Sequence, residues 1–135
     1  MKIMLVDDNK SFRLALRHLL EKNKKYEIIC EAENGIQAVD LINSYVPEIV
    51  LMDIEMPIMD GLKAAKLMLW ENSKIKFIAI TMYKDKAYLD EIMSAGFRAC
   101  IFKSDVFDKI YKVIDIVSNN NYLFPKNMKI KDKPN

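Results

Sequence analysis

The 135-residue chain contains few of the residues and segments that mark specialised protein classes. Three glycines and four prolines exclude a fibrous or linker-like composition. The two cysteines, Cys30 and Cys100, cannot build a disulfide framework. No apolar run approaches the roughly 20 residues that span a bilayer, and the apolar run near the N-terminus, residues 3–6, is too short for a signal peptide. A net charge of +2 lies too near balance to indicate nucleic acid or membrane as the main partner. From the missing signal peptide, membrane span and disulfide framework we expect a cytoplasmic protein.

The remaining composition is that of one folded domain. The chain is 51% hydrophobic and 30% charged, which suffices for a buried core and is unlike a disordered segment. The length corresponds to about one domain of the usual ~150 residues. We predict a single domain over residues 1–118, followed by a polar tail or linker remnant over residues 119–135, where the apolar periodicity ends.

Short apolar runs alternate along the chain with longer stretches of helical periodicity. Apart from Glu27 the runs are apolar throughout, which is typical of parallel strands covered on both faces; they are residues 3–6, 27–30, 49–52, 77–80 and 99–102. Helical spacing follows each run. The positions with that spacing are Phe12, Leu16, Leu19 and Leu20; Ile36, Val39, Leu41 and Ile42; Leu62, Ala65, Leu69 and Trp70; residues 85–95, ended by Gly96; and Val106, Ile110, Val113, Ile114 and Val117. We therefore predict an α/β fold, a five-stranded parallel sheet in a doubly wound (βα)5 three-layer sandwich.

Polar residues follow four of the predicted strands. Asp7 and Asp8 follow the first, Asp53 the third, Thr81 the fourth and Lys103 the fifth. The carboxyl ends of parallel strands meet at one edge of a sheet, so these residues are expected to lie together. Three carboxylates repel one another unless a cation lies among them, and an all-oxygen ligand set favours Mg²⁺.

The same group of residues suits the chemistry of a phosphoryl group. A carboxylate can act as nucleophile and form an acyl phosphate, while an ammonium and a hydroxyl can contact the phosphoryl oxygens. Each residue alone has a simpler structural explanation: Asp7 or Asp8 could cap the first helix, and Lys103 could be a solvated charge. The coincidence of all five at one sheet edge favours a Mg²⁺-dependent aspartyl-phosphate site.

The residues around these positions carry a family resemblance. They are Leu5-Val6-Asp7-Asp8, Leu51-Met52-Asp53-Ile54-Glu55-Met56-Pro57-Ile58-Met59-Asp60-Gly61, Ile80-Thr81, Ser94-Ala95-Gly96-Phe97 and Lys103. Over residues 1–118 the chain resembles the CheY-like (flavodoxin-like) receiver domain of two-component response regulators. The segments Thr81-Met82-Tyr83, Lys103-Ser104 and Tyr122-Leu123-x-Pro125 resemble most the receivers of LuxR/NarL-type regulators.

The resemblance implies a role for each site residue. Asp53 would accept a phosphoryl group from a sensor histidine kinase or a phosphotransfer protein. Asp8 and Asp53 would bind Mg²⁺ directly, Asp7 largely through water, and the Glu55 backbone carbonyl would add a ligand. Thr81 and Lys103 would contact phosphoryl oxygens, and their rearrangement would switch the face formed by the fourth helix and the fifth strand.

The resemblance also implies the kind of activity and the partners. The domain would promote its own phosphorylation and dephosphorylation without turning over a separate metabolite, and so would not be an enzyme in the usual sense. It would be either a stand-alone regulator or the regulatory part of a transcription factor, acting through a LuxR-type DNA-binding domain that this chain lacks. A homodimer could form through the fourth helix and fifth strand or through the first and fifth helices. Leu14 and His18, off the core-facing side of the first helix, could contact the kinase.

Two positions depart from the family pattern. Cys100 occupies the position of the usual switch aromatic, three residues before the lysine, and Ser104 replaces the usual proline after it. Cys100 puts the usual coupling between the threonine and the aromatic in doubt, but it does not affect the phosphorylation chemistry. We interpret Cys100 as a small buried residue rather than a redox sensor.

Three other functions remain as alternatives. A haloacid dehalogenase-type phosphatase would need a second aspartate where the chain has Glu55, and it would need a cap segment. A flavodoxin-like electron carrier would bind a flavin phosphate after the first strand, where Asp7 and Asp8 would repel it. A pseudo-receiver that binds partners without being phosphorylated is the third alternative.

Overall fold

The computed structural model describes residues 1–125. Its strands are β1 (Lys2–Val6), β2 (Glu27–Ala32), β3 (Ile49–Asp53), β4 (Lys76–Thr81) and β5 (Ala99–Phe102). Its helices are α1 (Lys10–Glu21), α2 (Gly35–Leu41), α3 (Gly61–Glu71), α4 (Lys86–Ser94) and α5 (Val106–Ser118), the last preceded by a 3₁₀ turn, Lys103–Asp105. None of the helices within residues 1–125 has the length and apolar character needed to cross a bilayer.

All five strands pair in parallel, as predicted, and their order in the sheet is β2-β1-β3-β4-β5. Alternate residues of each strand face opposite sides of the sheet, and both sides are covered. Ile3 and Leu5 pack with α1 and α5, whereas Met4 and Val6 pack in the core shared with α2, α3 and α4. The predicted three-layer α/β sandwich is confirmed. The strand order reverses between β1 and β3, where such sheets form a crevice at their carboxyl edge.

Four helices begin at a side-chain cap that local sequence supplies. The side-chain oxygens of Asn9, Asn34, Asp60 and Asp85 accept backbone N–H groups in the first turns of α1, α2, α3 and α4. The cap of α1 is therefore Asn9, and the alternative explanation of Asp7 or Asp8 as its cap is wrong. Both aspartates remain available for the site.

The core-facing sides of α2 and α3 differ from the predicted ones in two large residues. Trp70 was expected to face the core but is 89% exposed, and Ile36 is exposed as well. The buried residues of α3 are Gly61, Ala64, Ala65 and Met68. Their spacing is i, i+3, i+4, i+7, whereas the predicted positions had the spacing i, i+3, i+7, i+8. Three of the four are glycine or alanine, and small side chains let the helix approach the sheet closely.

Helix α4 ends at Gly96, as predicted. Gly96 has φ 97°, its N–H donates to the Met93 carbonyl and the Phe97 N–H donates to the Ile92 carbonyl. This pair of bonds is the Schellman arrangement, which places a left-handed residue just after a helix. A Cβ at this position would also lie 2.7 Å from Leu69 Cδ1.

The first part of the predicted tail packs on the sheet edge, which the sequence pattern did not indicate. The Leu123 N–H donates to the Arg98 carbonyl and the Cys100 N–H donates to the Leu123 carbonyl, at 3.0 and 3.1 Å. Phe124 packs against the core under β5. Residues 126–135 of the predicted tail lie outside the described residues.

Candidate functional site

The predicted acidic residues converge at the carboxyl edge of the sheet. Asp53 is the last residue of β3, and Asp7 and Asp8 directly follow β1, the neighbouring strand. One carboxylate oxygen from each of the three lies within 4.8 Å of the others. Asp7 and Asp53 are only 3% and 4% exposed, whereas Asp8 faces solvent. The site is therefore a partly buried carboxylate cluster with one open side.

Lys103 bridges the two buried carboxylates from the end of β5. Its Nζ lies 3.0 Å from Asp7 Oδ2 and 3.8 Å from Asp53 Oδ2. The same ammonium lies 4.4 Å from the centre of the Phe12 ring, a cation–π contact that positions it from α1. Lys103 is thus a member of the site, as predicted, and is not a solvated charge.

The electrostatic environment of Asp53 favours its protonated form. Burial is the main cause, and with the carboxylates of Asp7 and Asp8 it raises the Asp53 pKa to about 7. The Lys103 ammonium and the hydrogen bond from the Glu55 N–H act in the opposite direction. The single Lys103 ammonium therefore does not balance the three carboxylates, and a bound cation would supply further positive charge.

Thr81 lies at the same edge, at the end of β4. It is fully buried, and its Oγ1 accepts the Tyr83 N–H at 3.0 Å. Thr81 pairs with Phe102 in the register of β4 and β5, so it is next to the residue that precedes Lys103. The predicted hydroxyl and ammonium therefore come from adjacent strands.

The loop after Asp53 carries Glu55, whose N–H donates to Asp53 Oδ1 at 3.3 Å. The exposed Glu55 carboxylate accepts the Tyr88 hydroxyl of α4 at 3.3 Å. Burial, and then the Glu55 carboxylate, raise the pKa of Tyr88 well above its ordinary value, so the hydroxyl keeps its proton and donates. Tyr88 was not predicted, because a single tyrosine in a helix gives no local signal of a contact 33 residues away. The Glu55 backbone carbonyl as a ligand stays a prediction.

Two further residues hold the ends of β1 and β3 in place. Arg13 of α1 donates to the Asp7 carbonyl and forms an ion pair with Glu31 at 3.1 Å. Gly61 opens α3 against the end of β3, where a Cβ would collide with the Asp53 carbonyl. The Asp-Gly pair of the sequence motif was informative for Gly61, but nothing in the sequence pattern indicated Arg13.

The donor set fits a hard divalent cation. Asp7 Oδ2 is buried and, although Lys103 Nζ is near, it receives no hydrogen bond from any of residues 1–125. A buried carboxylate oxygen without a donor is costly unless a cation neutralises it. The cluster contains three carboxylates and neither histidine nor cysteine, which is the chemistry that Mg²⁺ prefers.

Cys100 has the environment of a buried structural residue. Burial raises the pKa of its thiol to about 12, so the thiol stays protonated. Its backbone N–H bonds to Leu123. Cys30 lies on β2 and Cys100 on β5, at opposite edges of the sheet, so the two thiols are not partners for a disulfide.

Comparison with known proteins shows the family of the chain. The family model of the response regulator receiver domain matches residues 3–115. The chain belongs to this family. Response regulator receivers work in two-component systems, with kinases or phosphotransfer proteins as partners.

Related proteins include both transcriptional regulators and single-domain receivers. The transcriptional regulatory protein YdfI of Bacillus subtilis is 34% identical over 122 residues, 90% of this chain and 57% of YdfI. The transcriptional regulatory protein DegU of Brevibacillus brevis is 25% identical over 93% of this chain and 53% of its own length. The chemotaxis protein CheY of Bacillus subtilis is 31% identical over 87% of this receiver and 98% of CheY.

The solved structures lead to the same family. A LuxR-family response regulator from Aurantimonas sp. matches with a TM-score of 0.85 and 25% identity, over 90% of this chain and 87% of the other. This receiver spans about half the length of the regulators YdfI and DegU but nearly all of CheY.

Proposed function

We propose that Asp53 is the phosphoryl acceptor of a two-component switch. The donor would be the phosphohistidine of a sensor histidine kinase or of a phosphotransfer protein. The observation that carries this proposal is the buried pair of Asp7 and Asp53 at the sheet edge, with the Lys103 ammonium 3.0 and 3.8 Å away. A nucleophile, a cation site and a group for phosphoryl oxygens thus occupy one crevice.

In the transfer step, an ionised oxygen of Asp53 attacks phosphorus. The bond from phosphorus to the donor nitrogen breaks with its electron pair remaining on the imidazole, and an acyl phosphate forms on Asp53. Lys103 favours the ionised, nucleophilic form of Asp53 beforehand and is close enough to contact the new phosphoryl oxygens afterwards. The Glu55 N–H donates a hydrogen bond to the other oxygen of the Asp53 carboxylate, Oδ1.

Mg²⁺ is the cofactor that we propose for this reaction. Asp7, Asp8, Asp53 and the Glu55 carbonyl would hold it, and Asp8 lies on the open side of the cluster. When bound, Mg²⁺ supplies positive charge against the carboxylates and the phosphoryl oxygens.

The conformational response would begin at Thr81. Its hydroxyl can turn towards a phosphoryl oxygen and donate to it, at the expense of the bond that it now accepts from Tyr83. The change would reach α4 and β5, the face that we propose as the output surface. Cys100 replaces the usual aromatic on β5, so the response has to pass through other side chains.

We propose that the phosphoryl donor contacts a surface on α1 and that the output uses a separate surface, formed by α4 and β5. Leu14 and His18 are exposed on α1, the helix whose Phe12 contacts Lys103, and the kinase or phosphotransfer protein would bind there. The output would be transcription, through a LuxR-type DNA-binding domain outside this chain. A homodimer through α4 and β5 or through α1 and α5 remains a prediction. The domain would turn over no separate metabolite.

Phosphorylation by small donors tests the proposal. The chain would be incubated with Mg²⁺ and either acetyl phosphate or phosphoramidate, whose P–N bond mimics phosphohistidine, and its intact mass measured. We expect the mass to increase by one phosphoryl group. No increase should occur when EDTA removes the Mg²⁺, and none should occur in Asp53→Asn. Asp40→Asn, an exposed carboxylate on α2, is the matched control and should be phosphorylated normally.

Two results would contradict the assignment. A gain that survives in Asp53→Asn would mean that the nucleophile is another residue. No gain with either donor, or with a phosphorylated histidine kinase domain, would favour the pseudo-receiver, a module that binds partners without being phosphorylated.

A further inference from the structure

Side-chain contacts link the acceptor Asp53 to helix α4 without using β5. The Glu55 N–H donates to Asp53 Oδ1, and the Glu55 carboxylate accepts the Tyr88 hydroxyl, both at 3.3 Å. The Tyr88 ring in turn meets the Tyr83 ring edge-on, with centroids 5.2 Å apart. Through this route the first turn of α4 is joined to the loop that follows the acceptor.

The environment of Tyr88 is that of a side chain held in one place. Its ring is partly buried and packs against the core formed by β3, β4 and α4, while its hydroxyl reaches the site loop. The Tyr83 ring supports it from the side, and the Tyr83 N–H is bonded to Thr81. An aromatic ring fixed by packing with a polar atom at its end is well suited to position a neighbouring group.

We propose that Tyr88 is a positioning residue that ties the Glu55 carboxylate to α4 and thereby slows hydrolysis of the aspartyl phosphate. This inference rests on the proposed function. In hydrolysis a water oxygen bonds to phosphorus, the bond between phosphorus and the Asp53 oxygen breaks with its electrons returning to the carboxylate, and the water proton passes to solvent. A Glu55 carboxylate released from Tyr88 is free to turn towards Asp53, accept a hydrogen bond from that water and orient it.

The test compares phosphorylated lifetimes in a set of matched variants. Each variant is phosphorylated with acetyl phosphate and Mg²⁺, the donor is removed, and loss of the phosphoryl group is followed by intact mass. Tyr88→Phe keeps the ring but removes the hydroxyl, and we expect the lifetime to fall by about three- to tenfold, the effect of about one hydrogen bond. Tyr111→Phe removes a tyrosine hydroxyl that donates to the Leu19 carbonyl between α5 and α1, and its lifetime should match the wild type.

Glu55→Gln and the double variant, which combines Tyr88→Phe with Glu55→Gln, test whether Tyr88 acts on the lifetime through Glu55. Glu55→Gln should have a lifetime at least as long as the wild type, because the residue can no longer orient water as a carboxylate. The double variant should have the Glu55→Gln lifetime, which means that loss of the Tyr88 hydroxyl matters only when Glu55 is present. A simple weakening of the fold would shorten the lifetime in both backgrounds.

The outcomes separate this inference from the proposed function. If the wild type is phosphorylated on Asp53 but Tyr88→Phe keeps its lifetime, the positioning role is wrong and the phosphoacceptor is unaffected. A short lifetime in both Tyr88→Phe and the double variant would also overturn it, as would a shortened lifetime in Glu55→Gln. If the wild type accepts no phosphoryl group, the proposed function itself fails.

Discussion

A single residue in the loop after Asp53 has an unfavourable backbone conformation. Ile58 has φ 72°, a region that β-branched residues seldom adopt, and it is 79% exposed. The Met59 N–H donates to the Pro57 carbonyl across it at 2.8 Å, so the three residues form a γ-turn. The exposed side chain contributes little packing to offset this strain, which lies within the segment that leads from Asp53 to Gly61.

Replacing Ile58 should therefore stabilise the protein when the new residue tolerates a positive φ. We expect Ile58→Gly to have a free energy of unfolding about 1 kcal/mol higher than Ile58→Ala, because alanine keeps the Cβ that makes this region unfavourable. Urea denaturation of both variants measures the difference. The comparison with alanine cancels the loss of the isoleucine side chain. An alanine variant as stable as the glycine variant would show that residue 58 does not adopt this conformation in solution.

At the scale of elements, the chain after α5 pairs with β5 at one edge of the sheet. Asn120 has φ 64°, and the N–H groups of Asn120 and Asn121 bond to the carbonyls of Val117 and Ile116. This Schellman arrangement ends the helix and turns the chain back towards β5. Leu123 then pairs with β5, which would otherwise present an unpaired edge.

This pairing predicts a specific pattern of hydrogen exchange. Leu123→Pro removes the N–H that bonds to Arg98, so the segment should detach and the Cys100 amide should exchange at least about tenfold faster. The Arg98 amide, bonded to Phe77 of β4, is the internal control and should keep its protection. Asn121→Ala, an exposed change in the same segment, is the matched variant and should leave both amides as in the wild type. Equal Cys100 exchange in Leu123→Pro and the wild type would contradict the pairing.

The elements that the sequence predicted well are those with a strong local signal. Residues 49–52 are apolar without interruption because β3 is covered on both faces, and that pattern has few alternatives. The prediction for Trp70 was wrong because a large hydrophobic side chain does not by itself mark the core-facing side of a helix; in α3 that side carries Ala64 and Ala65. Leu123 was missed because pairing with a distant strand edge leaves no periodicity in a segment this short.

In the candidate site too, the residues that could be predicted are those with a local signal in the sequence. Asp7, Asp53, Thr81 and Lys103 could be predicted because each directly follows or ends a strand, and parallel strands bring those positions together. The strand order, which makes β1 and β3 neighbours at the crevice, could not be predicted, since it depends on how the crossovers pack. Arg13 and Tyr88 could not be predicted either, because each reaches the site from a helix through a long side chain.

At the scale of the whole molecule, the carboxylate cluster couples stability to pH. The Asp53 pKa is raised from 3.8 to about 7, mainly by burial, so the folded protein binds this proton more tightly than the unfolded chain. Between about pH 4 and pH 7 the folded state holds a proton that the unfolded state has released. As the pH rises through this window the folded state loses the proton, and the free energy of unfolding falls by this group's contribution.

Comparison of the wild type with Asp53→Asn isolates this contribution, since all other ionisable side chains are common to both. In EDTA we expect the asparagine variant to gain stability relative to the wild type by roughly 2 to 4 kcal/mol between pH 5 and pH 8. Denaturation in urea at the two pH values measures the change. Adding Mg²⁺ at pH 8 should raise the wild-type melting temperature more than that of the variant, because the cation stabilises the state that binds it. A stability difference between the two proteins that stays constant from pH 5 to pH 8 would mean that Asp53 is already ionised at pH 5, and that Lys103 alone balances the cluster.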